Sequence, residues 1–352
     1  MKLNQPETPE TFETLETLMG LSPPQWETVL RQARRANLLA RFAVRLDDLG
    51  LLERVPAAPR AHLEAAKVLW QAQEEGVRRE VAHLCKALAR TGVDVVLLKG
   101  AAYLYAGLPP ARGRLFSDVD ILVPRDALAE VESALMLHGW ATTHRNGHDQ
   151  RYYRNWMHEL PPMRHVSRQT VMDVHHAILP IAGRLRPDSG KLLAGSVAVE
   201  GHPRLRVLAP ADMVLHAASH LILNEDLSSG LRDLADLDSL LRHFGRRAQF
   251  WQELAARASE LDLERPLCYA LRCAQRILET PIPDLKTRPA PVMDRLFAWA
   301  LEMPPGRRTA LARRLLYVRA HWLRMPPLPL AWHLTVKAFG REESEASHPA
   351  NN

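Results

Sequence analysis

Leu97-Leu98-Lys99-Gly100, followed by Arg114-Leu115-Phe116-Ser117-Asp118-Val119-Asp120-Ile121-Leu122-Val123, decides how this chain is read. The aliphatic and β-branched residues of the second stretch predict a strand. Side chains two apart in a strand share a face, so Asp118 and Asp120 point at one spot while Val119 and Ile121 turn to the core. Magnesium suits such a spot, because it takes hard oxygen ligands, usually one or two carboxylates plus substrate phosphates. Manganese accepts the same ligand type.

Upstream, Val93-Asp94-Val95-Val96-Leu97-Leu98 predicts a short strand that stops at Lys99-Gly100, and Ala101-Ala102-Tyr103-Leu104-Tyr105 predicts a helix. A glycine turn between them lets backbone N–H groups approach a phosphate, and the helix start adds partial positive charge. Lys99 has two readings, a phosphate ligand or a solvated strand-end lysine. Arg114 or Arg112 would neutralise a leaving pyrophosphate, or form plain ion pairs with nearby acids. A third carboxylate stands in Gln169-Thr170-Val171-Met172-Asp173-Val174-His175-His176, again strand-like, with Asp173 and His175 on one face. Two metal ions about 3.5–4 Å apart clamp the attacking and leaving oxygens of an in-line displacement. Asp118 bridging them, with Asp120 and Asp173 completing the shells, is the economical assignment. Asp173 also suits a general base. His175 either orients Asp173, contacts substrate or is structural, and His176 points the other way.

Gly100, the Asp118-x-Asp120 pair and Asp173 on a later strand resemble the pattern of the DNA-polymerase-β-like nucleotidyltransferase superfamily. Leu-Lys-Gly, then Arg, then Ser-Asp-Val-Asp-Ile-Leu-Val, then Asp-Val-His-His is similar to an uncharacterised bacterial nucleotidyltransferase family. The Lys-Gly, Arg, Ser-Asp-x-Asp order also resembles the abortive-infection toxin nucleotidyltransferases. The motifs cover roughly residues 90 to 180, with a looser match to about residue 245. The resemblance implies an NTP as co-substrate, nucleotide contacts from Lys99, Gly100, Arg114 and Ser117, and metal ligation by Asp118, Asp120 and Asp173. The superfamily's usual Gly-Ser or Gly-Gly is replaced by Lys99-Gly100-Ala101, with Lys99 standing in for the missing hydroxyl. The 17 residues between Gly100 and Asp118 predict a longer connecting helix and loop than in the minimal enzymes.

His216 and His220 stand four apart and share a helix face, as two zinc ligands would, but no Glu follows His216 to make the H-E-x-x-H pattern. With Arg232 and Asp236 they form a helical wall that either touches substrate or ties the helices to the sheet. Trp140, Trp156, Tyr152 and Tyr153 either stack a base or belong to the core.

At 352 residues and 47% hydrophobic content the chain can bury a substantial core. Cys85, Cys268 and Cys273 are an odd set without paired metal spacing, which fits a reducing cytoplasm. The first residues carry no apolar leader core, and no apolar run approaches the roughly 18 residues that a membrane span needs. Net charge is +6. Arg307, Arg308, Arg313, Arg314, Arg319 and Arg324 crowd the C-terminal region among Leu311, Leu315, Leu316 and Trp322, as an RNA footprint or as the solvated face of an amphipathic helix.

The fold expected is α+β, a small mixed β-sheet nucleotidyltransferase core with helical N-terminal and C-terminal parts. The division reads as an N-terminal helical region (1–89), the core (90–205), a helical domain (206–280), and a Pro-containing linker with a basic helical C-terminal region (281–352). Ser22-Pro23-Pro24 marks a helix start, with Trp26, Val29, Leu30 and Ala33 on its inner face. A long helix runs from about Ala61 to Ala89. Another spans Arg125 to His138, with Leu128, Val131, Leu135 and Met136 inward and Gly139 as its cap. From Pro210 helices dominate, and Pro281, Pro283, Pro289 and Pro291 mark a hinge. The tail after Arg341 is polar, acidic and frayed.

The activity expected is transfer of a nucleoside monophosphate from an NTP to an acceptor hydroxyl or phosphate. A small-molecule acceptor is favoured over RNA or protein. The third possibility is an inactive relative that binds a nucleotide or a partner, against which the retention of all three carboxylates argues. Base preference, acceptor and oligomeric state leave no trace in the sequence.

Overall fold

A computed structural model describes residues 17–143, 157–283 and 290–324. Seven strands form one mixed sheet: β1 Val95–Leu97, β2 Val119–Leu122, β3 Trp140–Thr142, β4 Met163–His165, β5 Val171–His175, β6 Val197–Ala198 and β7 Leu205–Val207. Their order across the sheet is β3-β4-β5-β2-β1-β7-β6. β1 runs antiparallel to β2 and parallel to β7, and β2 runs parallel to β5. β1 and β2 lie in the middle and are buried along their whole length. That explains why they read as near-continuous apolar runs, Asp120 excepted.

The N-terminal helices are α1 Pro23–Arg35, α2 Leu39–Asp48 and α3 Ala57–Leu88. A capping box between Ser22 and Gln25 starts α1 and offers partners to otherwise orphaned N–H groups. Trp26, Leu30 and Ala33 are buried on its inner face. The long helix α3 begins four residues before Ala61, because Pro59 falls in its first turn, where a missing N–H costs nothing.

α4 (Lys99–Tyr105) follows β1, and a 3-10 turn at Pro109–Ala111 occupies much of the remaining connection to β2. The helix starts at Lys99, not after a glycine turn as expected. The left-handed backbone that reverses the chain falls on Lys99 itself (φ 47°). Gly100 is required for a different reason, since a Cβ there would lie 2.3 Å from Arg114 Nη1 and 2.9 Å from its Cζ. α5 (Leu128–Leu137) buries Val131 and Leu135, and Gly139 (φ 94°) follows its end. Met136 was expected inward but is 55% exposed, one position past the buried Leu135 on a short helix whose inward stripe is narrow.

α6 Ser189–Ala194 lies between β5 and β6, and beyond the sheet come α7 Pro210–Leu223, α8 Gly230–Phe244, α9 Ala248–Glu260, α10 Glu264–Leu278, α11 Pro291–Ala300 and α12 Arg307–Arg324. One apolar cluster runs from Trp26 through Leu97 and Ile121 to Leu237, Phe297 and Leu316, so N-terminal helices, sheet and C-terminal helices share a core. Along α12, Ala312, Leu316 and Ala320 are buried while Arg307, Arg308 and Arg314 are exposed. Among the described residues no helix is long and apolar enough to cross a membrane. Tyr152, Tyr153, Trp156, Pro289 and the segment after Arg341 lie outside the described residues. Trp140 is buried in β3 with its ring edge on His165.

Candidate active site

The register of β2 and β5 builds the site. Asp120 pairs with Asp173 across the parallel ladder, and Leu122 pairs with His175, so both acids fall on neighbouring positions of one face. Asp118, two residues before Asp120, joins them just ahead of β2. The Leu98 N–H donates to the Asp120 carbonyl at 2.9 Å, which extends β1 past its last strand residue and sets Lys99 over the acids. Lys99 Nζ then donates to Asp120 Oδ1 at 2.7 Å, and His175 Nε2 meets the same oxygen at 3.0 Å. Ser117 Oγ donates to Asp118 Oδ1 at 2.9 Å.

Sequence reasoning did not find Glu159. An isolated antiparallel bridge to His175 brings it in, and its Oε2 lies 3.2 Å from His175 Nδ1, off the line of a good hydrogen bond. No motif surrounds Glu159, so nothing in the sequence could have pointed to it. His158 comes with it. Among the described residues His158, Glu159 and His175 are the set whose ligand atoms all lie within 4.8 Å of one another. Asp118, Asp120 and Asp173 do not form such a set among the described residues.

Charge in the cleft is unbalanced. Burial pushes the Asp120 carboxyl up, but the charge of Lys99 and the His175 hydrogen bond outweigh it and hold Asp120 well below the ordinary range. Asp118 is raised, first by burial and then by the charge of Asp120. Asp173 is raised to about 7 by burial, by Asp120 and by Glu159. Its Oδ1 is buried and meets no hydrogen-bond partner among the described residues. A buried carboxylate oxygen without a donor, beside two more acids of its own sign, is the surrounding that a hard divalent cation satisfies, so the donor set fits magnesium.

The remaining expected residues divide. His216 is buried, and burial together with the charge of Lys99 holds it well below the usual imidazole range, so it is a neutral group beside the cleft. His220 Nδ1 lies 3.6 Å from Asp233 Oδ2, and Arg232 Nη2 donates to Asp233 Oδ1 at 2.7 Å. Arg114 is buried; its Nε donates to Asp236 Oδ2 at 2.8 Å and its guanidinium lies beneath Gly100. Arg41, a residue the sequence did not single out, takes the other oxygen of Asp236 and also donates to the Pro110 carbonyl at 2.8 Å. Arg112 instead pairs with Asp48. Thus Arg114, Asp236 and Arg41 form a clamp between α8, α2 and the turn under Gly100, while Lys99, Ser117 and the three aspartates face one another.

A family described as "Uncharacterised nucleotidyltransferase" matches residues 22–279, from the start of α1 to the end of α10. Comparison with curated proteins gave no match.

Proposed function

Since the chain belongs to that nucleotidyltransferase family, we propose that it moves a nucleoside monophosphate from an NTP to an acceptor hydroxyl or phosphate, with a small molecule as the favoured acceptor. The observation that carries the reading is the Asp120–Asp173 register with Asp118 beside it, three carboxylates facing one cleft with a single lysine over them. Asp118, Asp120 and Asp173 would hold magnesium or manganese, which when bound offsets the phosphate charge and polarises the phosphorus. Both bonds to Asp120 fall on Oδ1, so its second oxygen would be available to help hold the cation.

Lys99 carries its charge to the mouth of the cleft and moves from Asp120 to a phosphate oxygen when the donor nucleotide arrives. Ser117 and the Lys99-Gly100 turn line the phosphate path. Asp173 takes the proton of the attacking hydroxyl, for which its place beside Asp120 is suited. His175 holds Asp120 in orientation between the strands. Arg114 acts at one remove, by supporting the turn under Gly100.

The test is titration of the purified chain with each of the four NTPs, with and without magnesium, alongside an Asp118→Asn/Asp120→Asn double variant. Magnesium-dependent binding by the wild type, lost in the variant, is the expected result and names the donor. Equal binding by both proteins would sink the site assignment, and binding of no NTP by the wild type would favour the partner-binding relative.

A further inference from the structure

A second cavity, of about 610 Å³, lies between α1, α2, α8, α10 and α11, reached by none of the residues placed in the nucleotide cleft. Its size falls among small-molecule sites, roughly 300–1,000 Å³. Its walls are largely apolar, with Phe42, Leu278, Trp299 and Leu301 among them. Its charged groups are uneven in sign: the guanidiniums of Arg41, Arg242, Arg276 and Arg308 face only the carboxylates of Asp238 and Glu302.

Three of those four cations are paired closely with a carboxylate, Arg41 with Asp236, which does not line the cavity. Arg242 Nε donates to Asp238 Oδ1 at 2.7 Å, and Arg308 Nε lies 3.0 Å from Glu302 Oε2. Among the described residues Arg276 reaches only Asp294, at 3.7 Å. Arg41 is the telling one. It is 8% exposed, its Nη2 is held by Asp236 and the Pro110 carbonyl, and its Nη1 is buried with no hydrogen-bond partner among the described residues. A buried donor without an acceptor is destabilising, and an anion brought against it relieves that cost. Because Nη2 is anchored, the guanidinium is held in place before any ligand arrives, and binding loses little to ordering it.

We propose that this cavity binds an amphipathic anion, an apolar body of acyl or aromatic type seated among Phe42, Trp299 and Leu301 with a single carboxylate or phosphate head directed to Arg41. The site is separate from nucleotidyl transfer and does not rest on it, because binding is read directly on the full chain without NTP.

Calorimetric titration with decanoate, kept below its micelle concentration, tests it against decyltrimethylammonium, which has the same tail and the opposite head charge. Saturable decanoate binding at one site is expected, with the ammonium compound bound at least about tenfold more weakly. Ala298→Phe fills the cavity from a half-exposed lining position and should abolish decanoate binding while leaving magnesium-dependent NTP binding as in the wild type. Arg41→Lys keeps a cation for Asp236 but removes the forked second nitrogen, and should weaken decanoate about tenfold. Absence of decanoate binding by the wild type overturns the proposal. So does equal binding of the two head charges, or wild-type affinity in a folded Ala298→Phe chain.

Discussion

Asp236 and Asp173 are both carboxylates drawn away from solvent, and their surroundings are opposite in sign. Asp236 receives two guanidiniums, one on each oxygen, so the carboxylate is fully compensated. Asp173 shares its cleft with Asp118, Asp120 and Glu159, with Lys99 and His175 beside them, and one of its oxygens is buried without a donor among the described residues. The first arrangement holds α8 to α2 and to the turn under Gly100. The second is costly to the folded chain, and a ligand that brings positive charge would relieve it. Between two acidic sites in one molecule, the partner inventory marks the under-compensated one as the candidate for function.

Breaking the clamp gives the largest expected effect. Asp236→Ala leaves two buried guanidiniums without their anion and should lower unfolding free energy by about 3–5 kcal/mol, read from denaturant midpoints. The corresponding loss of charge in the cleft, Asp118→Asn, should leave the midpoint within about 0.5 kcal/mol, because it removes a repelled charge. A large destabilisation by Asp118→Asn would erase the contrast.

Gly100 is where the two regions touch, and it sharpens the comparison. Gly100→Ala places a Cβ on Arg114, whose guanidinium cannot withdraw without leaving Asp236. The expected loss is about 1–3 kcal/mol of stability, together with weaker NTP binding through the displaced turn. Unchanged stability would mean that the clamp yields freely.

The smallest effect is a matter of pH. Burial pushes the Asp233 carboxyl up, but His220, Arg232 and Arg114 outweigh it, so the group stays ionised in the fold well below its ordinary range. A carboxylate depressed in this way stabilises fully above its unfolded pKa, near 4, and the stabilisation is lost as pH falls toward the folded value. Asp233→Asn should therefore be less stable than the wild type by about 1–2 kcal/mol at pH 7, the gap closing as the pH drops below 4. A gap that widens in acid would reverse the sign of the assignment.

Much of the cleft was legible because its information is local. A period of two along Asp118-Val119-Asp120 and Asp173-Val174-His175 dictates which side chains share a face, whatever the strands pair with. Helix starts at Ser22 and Pro210 and the apolar stripes of α1 and α3 were equally local. Arg114 was the instructive difficulty. Its position before a D-x-D pair gives no hint that an anionic partner lies 122 residues on, at Asp236.

By itself, then, the sequence determined that Asp120 and Asp173 would stand on strands with Asp118 beside the first, that a turn around Lys99-Gly100 would precede them, and that helices would surround a small mixed sheet. Only the tertiary structure decided that Asp120 stands beside Asp173, that Glu159 joins them through His175, and that Arg41 and Arg114 close on Asp236. Face is a property of neighbouring backbone dihedrals, whereas which cation reaches which acid depends on how distant segments cross, and Arg41 and Asp236 are 195 residues apart.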